Sequence, residues 1–371
     1  MELSHQHFDK LRQVGDPTLD PIMADLKENG QVQEVNDLLM QIIENHTDIP
    51  AALPDNIEFW LREKRELPAD VDRERLARSS AFFVEHGALI TLILSTAALV
   101  TCYAGSKGSK VLTFSYRMGQ NPYHRIAETG QFVLLVMDPD GFGPHGKAIT
   151  TCLKVRLMHS AVRYLVRRTG KWDEIALGVP ICQEDLLGTL MVFSAGVLEG
   201  LKRLGATIRD EDAEDYYYGW QVIGRLMGIR PENIPANVAE ATAVAHFIAQ
   251  RQFGPSPEGV YLTRSLINMH SDLIPGTMFD GIVPALIRHI AGEEVADWME
   301  VPQTRWQGMM NHATKMGQFL DVLDTTFGGI DKLIDKLAIA LLMRNSIAVN
   351  DYKRAAFHIP AKLKLTWGEE E

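Results

Sequence analysis

TTCLKVRLMHSAVRYLVRR, residues Thr150–Arg168, contains neither proline nor glycine and reads as one well-formed helix. His159 lies in its middle, with Arg156 three residues before it and Arg163 four residues after. At about 100° per residue these three side chains fall within roughly 60° of one another on one helical face. Leu153, Val155, Leu157, Met158, Val162, Leu165 and Val166 surround that face. A basic stripe in so apolar a helix needs acidic partners or a cofactor if it is buried.

Outward from this stretch, composition sets the bounds. The chain has 371 residues, enough for a large core in one or two domains. Its net charge of −11 points away from nucleic acid, because there is no basic excess to neutralise phosphates. Three cysteines, Cys102, Cys152 and Cys182, suit a reducing compartment and exclude a disulfide scaffold. There is no CxxC and no CxxCH, so neither a thiolate zinc site nor covalently attached haem is expected. The N-terminus lacks an apolar core and a twin arginine, so a cytoplasmic location is expected. Gly87–Ala104 is apolar and uncharged over 18 residues, the lower edge for a membrane span. Thr91, Ser95, Thr96 and Thr101 weaken that reading, and a helix buried in a large helical core is expected instead.

Along the chain, residues 1–70 read as an N-terminal helical extension packed on the surface, and 71–371 as an all-α domain. Helices are expected over Asn56–Arg65, from Val71 through the apolar segment, His124–Val136, and Leu186–Leu204. Others are expected over Glu211–Ile229, Asn237–Phe253, Glu258–His270, Gln303–Leu323 and Ile330–Met343. GSKGSK (105–110) is expected to be a turn, since no strand precedes it and GxxxxGK[ST] is absent. DPDGFGPHG (138–146) reads as a loop that carries His145. Gln183, Glu184 and Asp185 fall in the first turn of a helix, where they cap it or pair with Arg156 or Arg163. Gly224 and Gly228 allow a neighbouring helix close approach. No period-two strand pattern and no repeat of 20–50 residues is present, so the fold class is all-α.

Motif-borne chemistries are then eliminated. A ferritin-like di-iron site needs paired ExxH motifs, and only Glu2–His5 fits one. GxGxxG, GxSxG and HExxH are absent. What remains is a histidine in an apolar helix, which is either a packed residue or a single axial haem ligand.

The combined motifs resemble the catalytic domain of latex clearing proteins (rubber oxygenases). That family includes the oxygenase that shortens the prenyl chain of mycophenolic acid precursors. Arg156-x-x-His159-x-x-x-Arg163 is similar to its haem-helix signature, and Gly178–Asp185 (GVPICQED) follows at the family distance. Tyr103–Leu112, the segment of Trp220, Val222, Gly224 and Gly228, and the closing residues Arg354, Phe357, Pro360 and Trp367 add to the likeness.

The resemblance implies an all-α, globin-like core around a non-covalent haem b, with extra helices and with His159 as iron ligand. Arg156 and Arg163 are then assigned either to the haem propionates or to ion pairs with Glu184 or Asp185. On the distal side the family's Arg-x-x-Lys-Thr matches Arg125, Glu128 and Thr129, so glutamate replaces lysine. The family's separate distal glutamate has no counterpart here. Glu128 either acts as a base or hydrogen-bond partner of bound oxygen, or pairs with Arg125. The implied function is a haem-dependent, dioxygenase-like oxidoreductase acting with O2 on a small apolar, alkene or isoprenoid-like substrate. A redox partner is compatible with it. The alternatives are a haem-binding electron carrier or sensor, and a helical binding protein that has lost haem.

Overall fold

The computed structural model describes residues 2–114, 122–273 and 281–312. Four N-terminal helices come first: α1 (His5–Arg12), α2 (Leu19–Glu28), α3 (Val32–Leu39) and α4 (Asp55–Lys64). A long rod follows, made of α5 (Arg73–Ile93), a π-turn (Leu94–Ala98) and α6 (Leu99–Ala104), then α7 (Ser106–Thr113) and α8 (Pro122–Val136). The His159 helix is α9 (Ala148–Arg168), succeeded by α10 (Glu174–Leu177), α11 (Gln183–Phe193), α12 (Ala195–Arg203) and α13 (Asp210–Leu226). The remaining helices are α14 (Val238–Gln252), α15 (Pro257–Leu273), α16 (Ile282–Ala291), α17 (Glu293–Trp298) and α18 (Arg305–His312). Among the described residues there is no strand, only an isolated bridge between Gly105 and Phe253. The all-α expectation holds. Ile330–Met343 and the closing motif lie outside the described residues.

The apolar rod begins at Arg73, where Asp72 caps it by accepting from the N–H groups of Glu74 and Arg75. It is the one helix among the described residues long and apolar enough to cross a membrane, and 56 % of its most apolar window is buried inside the protein. Its hydroxyls bond back along the rod: Thr96 Oγ1 donates to Leu92 O at 2.6 Å and Thr101 Oγ1 to Ala97 O at 2.8 Å. The first of these sits at the π-turn, where the backbone ladder widens. α13 lies along α5. Gly219 makes that approach close, since a Cβ there would stand 2.1 Å from Ser79 Oγ.

Three sequence-based boundaries are corrected. GSKGSK is not a turn: Gly105 supplies the kink, and Ser106 onward continues as α7, with Ser109 N–H donating to Gly105 O. The Leu186–Leu204 helix is broken at Ser194, whose backbone (φ −109°, ψ −88°) separates α11 from α12. The N-terminal segment is also no surface attachment. Phe8, Leu19, Met23 and Leu26 are fully buried in the same core cluster as the rod and α9. Leu19, Met23 and Leu26 recur at i, i+4 and i+7, a helical stripe hidden in a polar composition. Burying each such side chain is worth about 1.5–3 kcal/mol, which is why the segment goes inside.

Candidate functional site

α9 starts without a cap from its own N-cap residue, Lys147. Asn45 takes over that task from the loop after α3. Its Oδ1 accepts from the N–H groups of Ile149 (3.1 Å) and Thr150 (3.2 Å). Its Nδ2 donates to Gly141 O and Gly143 O, so the same side chain braces the 138–146 loop. Exposed His145, in that loop, contacts half-buried Glu44 at 2.9 Å. The start of α9 is thus pinned to two loops before its basic face begins.

On that face both arginines are buried and both find carboxylates. Arg156 Nε donates to Asp16 Oδ2 at 2.5 Å and its Nη2 to Asp16 Oδ1 at 3.2 Å. Arg163 Nε donates to Asp20 Oδ1 at 2.7 Å, as does Ser160 Oγ, while Arg163 Nη1 donates to Ile181 O. Neither partner is Glu184 or Asp185, the carboxylates named in the ion-pair alternative. Asp185 instead binds Arg12 and accepts from Cys182 N–H in a capping box, so the capping reading of that turn holds. Glu184 accepts from Arg251 Nε at 2.9 Å and Gln252 Nε2 at 3.0 Å.

The Asp16 carboxyl reflects the exchange. Burial pushes its pKa up, but the hydrogen bond and charge of Arg156, with help from Leu19 N–H and Arg163, outweigh burial and hold it below the ordinary aspartate value. Trp60 adds a cation–π contact, with the Arg156 guanidinium carbon 5.7 Å from the ring centroid. Two glycines make room. A Cβ on Gly228, which has φ +91°, would stand 2.5 Å from Arg156 Nε, and one on Gly15 would stand 2.9 Å from Arg163 Cδ. Gly228 therefore makes way for an arginine; Gly224 is the one that admits a helix, facing Leu190 of α11. Gln183 fastens the two cradles together by donating to both Gly15 O (3.1 Å) and Gly228 O (2.9 Å).

His159 is half-buried, with Nδ1 enclosed by protein. The distal candidates sit on α8, which packs against α9. Glu128 and Thr129 are half-buried there; Arg125 lies on the same helix, and its side chain falls outside the described residues. Arg125 is eleven residues before Val136 and His159 eleven residues after Ala148, equal distances from the connecting loop. Cys152 and Cys182 are buried and Cys102 half-buried, and burial pushes each thiol up, Cys102 to about 12.

Asp16 and Asp20 were missed on reading the sequence. The signal was Asp16-Pro17-Thr18-Leu19 ahead of an apolar stripe, a helix-start pattern. Asp16 Oδ1 indeed accepts from Thr18 and Leu19 N–H. Nothing local tells which distant arginine such a carboxylate meets.

Comparison with known proteins agrees with this architecture. Residues 73–319 match the family described as ER-bound oxygenase mpaB/B'/Rubber oxygenase, catalytic domain. The chain is 29 % identical over 286 residues to the rubber oxygenase of Streptomyces sp. (strain K30), covering 76 % of this chain and 70 % of that protein. It superposes on latex clearing protein LCP in the closed state with a TM-score of 0.74, at 27 % identity over 80 % of each chain. With the family match spanning well over half of its length, the chain belongs to the mpaB/rubber oxygenase catalytic-domain family.

Proposed function

We propose that this protein is a haem b-dependent oxygenase that acts with O2 on a small apolar, alkene or isoprenoid-like substrate. The observation that carries the reading is His159 on the packed Arg-x-x-His-x-x-x-Arg helix, inside the region matched to an oxygenase family. The donor chemistry fits the cofactor. Among the described residues no group of three or more His, Cys, Asp and Glu side chains is gathered to hold a bare metal ion. A haem would need only one protein ligand for its iron, and the His159 imidazole would supply it. When bound, haem iron supplies the oxygen-binding and electron-transfer chemistry that no amino-acid side chain provides.

The chain's own residues do the rest. His159 would hold the iron, and its Nδ1 is enclosed by protein. Arg125, Glu128 and Thr129 are the distal polar groups. The helix that carries them packs against the helix of His159, which supports this reading. A carboxylate at Glu128 accepts a proton or a hydrogen bond at Oε, where an amine would donate one. Arg156 and Arg163 act as structural cations of α9 rather than as propionate ligands, since Asp16 and Asp20 already occupy them.

The test is the absorption spectrum of purified protein after haem reconstitution. Wild type is expected to show a Soret band that His159→Ala loses. O2 uptake on an unsaturated isoprenoid is expected to fall in Glu128→Gln with the Soret band kept. A Soret band that survives His159→Ala would overturn the ligand assignment. A normal haem spectrum without O2 uptake on any unsaturated apolar compound would leave an electron carrier or sensor.

A further inference from the structure

We propose that Asp16 and Asp20 are positioning residues for His159: by neutralising Arg156 and Arg163 they hold the electrostatic field around the imidazole and any iron bound to it. The inference rests on the haem reading above, and it assigns a functional role to a segment that precedes the matched family region at residues 73–319.

On a helix, residues three and four apart are neighbours with Cβ atoms about 5–6 Å apart, so Arg156 and Arg163 bracket His159 from the turns before and after it. Both are buried, Arg163 to 1 % exposure, where charge is poorly screened. Without their carboxylates, two uncompensated positive charges would lie on the helical face that His159 shares. Such a field disfavours the more positively charged, oxidised state of a bound iron and raises its midpoint potential. With Asp16 and Asp20 in place, that contribution is cancelled.

The carboxylates are built in. Asp16 accepts from Thr18 N–H, Leu19 N–H, and Arg156 Nε and Nη2. Asp20 accepts from Asp16 N–H, Arg163 Nε and the hydroxyl of Ser160, the chain neighbour of His159. The glycine cradles at Gly15 and Gly228, joined by Gln183, keep each pair in register. The N-terminal strap thus grips α9 on either side of the proposed ligand.

Spectroelectrochemical titration of full-length, haem-loaded protein tests this. Asp16→Asn and Asp20→Asn are each expected to raise the midpoint potential, and the double variant to raise it further. Asp16→Asn combined with Arg156→Gln removes carboxylate and cation together, and is expected to return the potential toward wild type even where a single variant folds poorly. Asp215→Asn serves as the control, because it breaks ion pairs with Arg75 and Arg78 away from α9. It is expected to lower thermal stability without moving the potential. Wild-type potentials in Asp16→Asn and Asp20→Asn, with normal Soret bands, would overturn this inference and leave the haem reading standing. Absence of a Soret band in wild type would overturn the haem reading and this inference with it.

Discussion

Arg156 is buried and has Asp16 as its carboxylate, so the pair stands or falls together. Removing one partner of a buried ion pair leaves an uncompensated charge, which costs about 3–5 kcal/mol. Asp16→Ala is expected to lose that much in denaturant unfolding. The pH dependence has a definite sign. Asp16 is held below its ordinary pKa, so the pair contributes fully above the unfolded value of about 3.9 and is lost as pH falls through the lower folded value. Melting curves should therefore show the gap between wild type and Asp16→Asn constant from neutral pH to about 4 and narrowing below it. Gly228 is the second residue to test. Alanine there meets Arg156 Nε and must also adopt φ +91°, so Gly228→Ala is expected to lose at least about 1–2 kcal/mol. Wild-type melting temperature in that variant would show that the cradle is not tight.

At the scale of elements, the helices that the sequence marks well are those with strong ends. Asp72 and Asn237 cap α5 and α14, and no breaker interrupts α9. The joint between α11 and α12 was not legible: Ser194 is neither Gly nor Pro, and the break shows only in its backbone angles. α1 was read as polar, yet Phe8 lies fully buried, with its ring 4.9 Å from that of Phe247 in α14. Phe8→Ala is expected to lose about 3–5 kcal/mol of unfolding free energy. A surface attachment would show almost none, so a loss under 1 kcal/mol would restore the earlier view of this segment.

At the scale of the whole molecule, the N-terminal helices, the apolar rod and α9 share one core cluster. Arg12, Val14 and Gly15 also bind the 177–183 segment through Leu177 O, Val179 N–H, and Gln183 N–H and Nε2. Removing residues 1–20 strips both carboxylates from α9 and uncovers this seam. The truncated chain is expected to be cleaved by protease under native conditions far faster than the full chain. Equal resistance would mean that α9 and its arginines hold without the strap.

The sequence alone determined that the chain is helical, that the 87–104 segment seeks a core, and that His159 sits between two arginines on one face. These are properties of period and spacing, which local covalent geometry dictates. Its motifs also carried the family. Only the tertiary structure decided which carboxylates answer those arginines. Asp16 and Asp20 lie some 140 residues away in the chain, and charge pairing over that distance depends on how whole helices pack, which no local pattern encodes. The basic face of α9 owes its neutrality to a segment that composition had placed at the periphery.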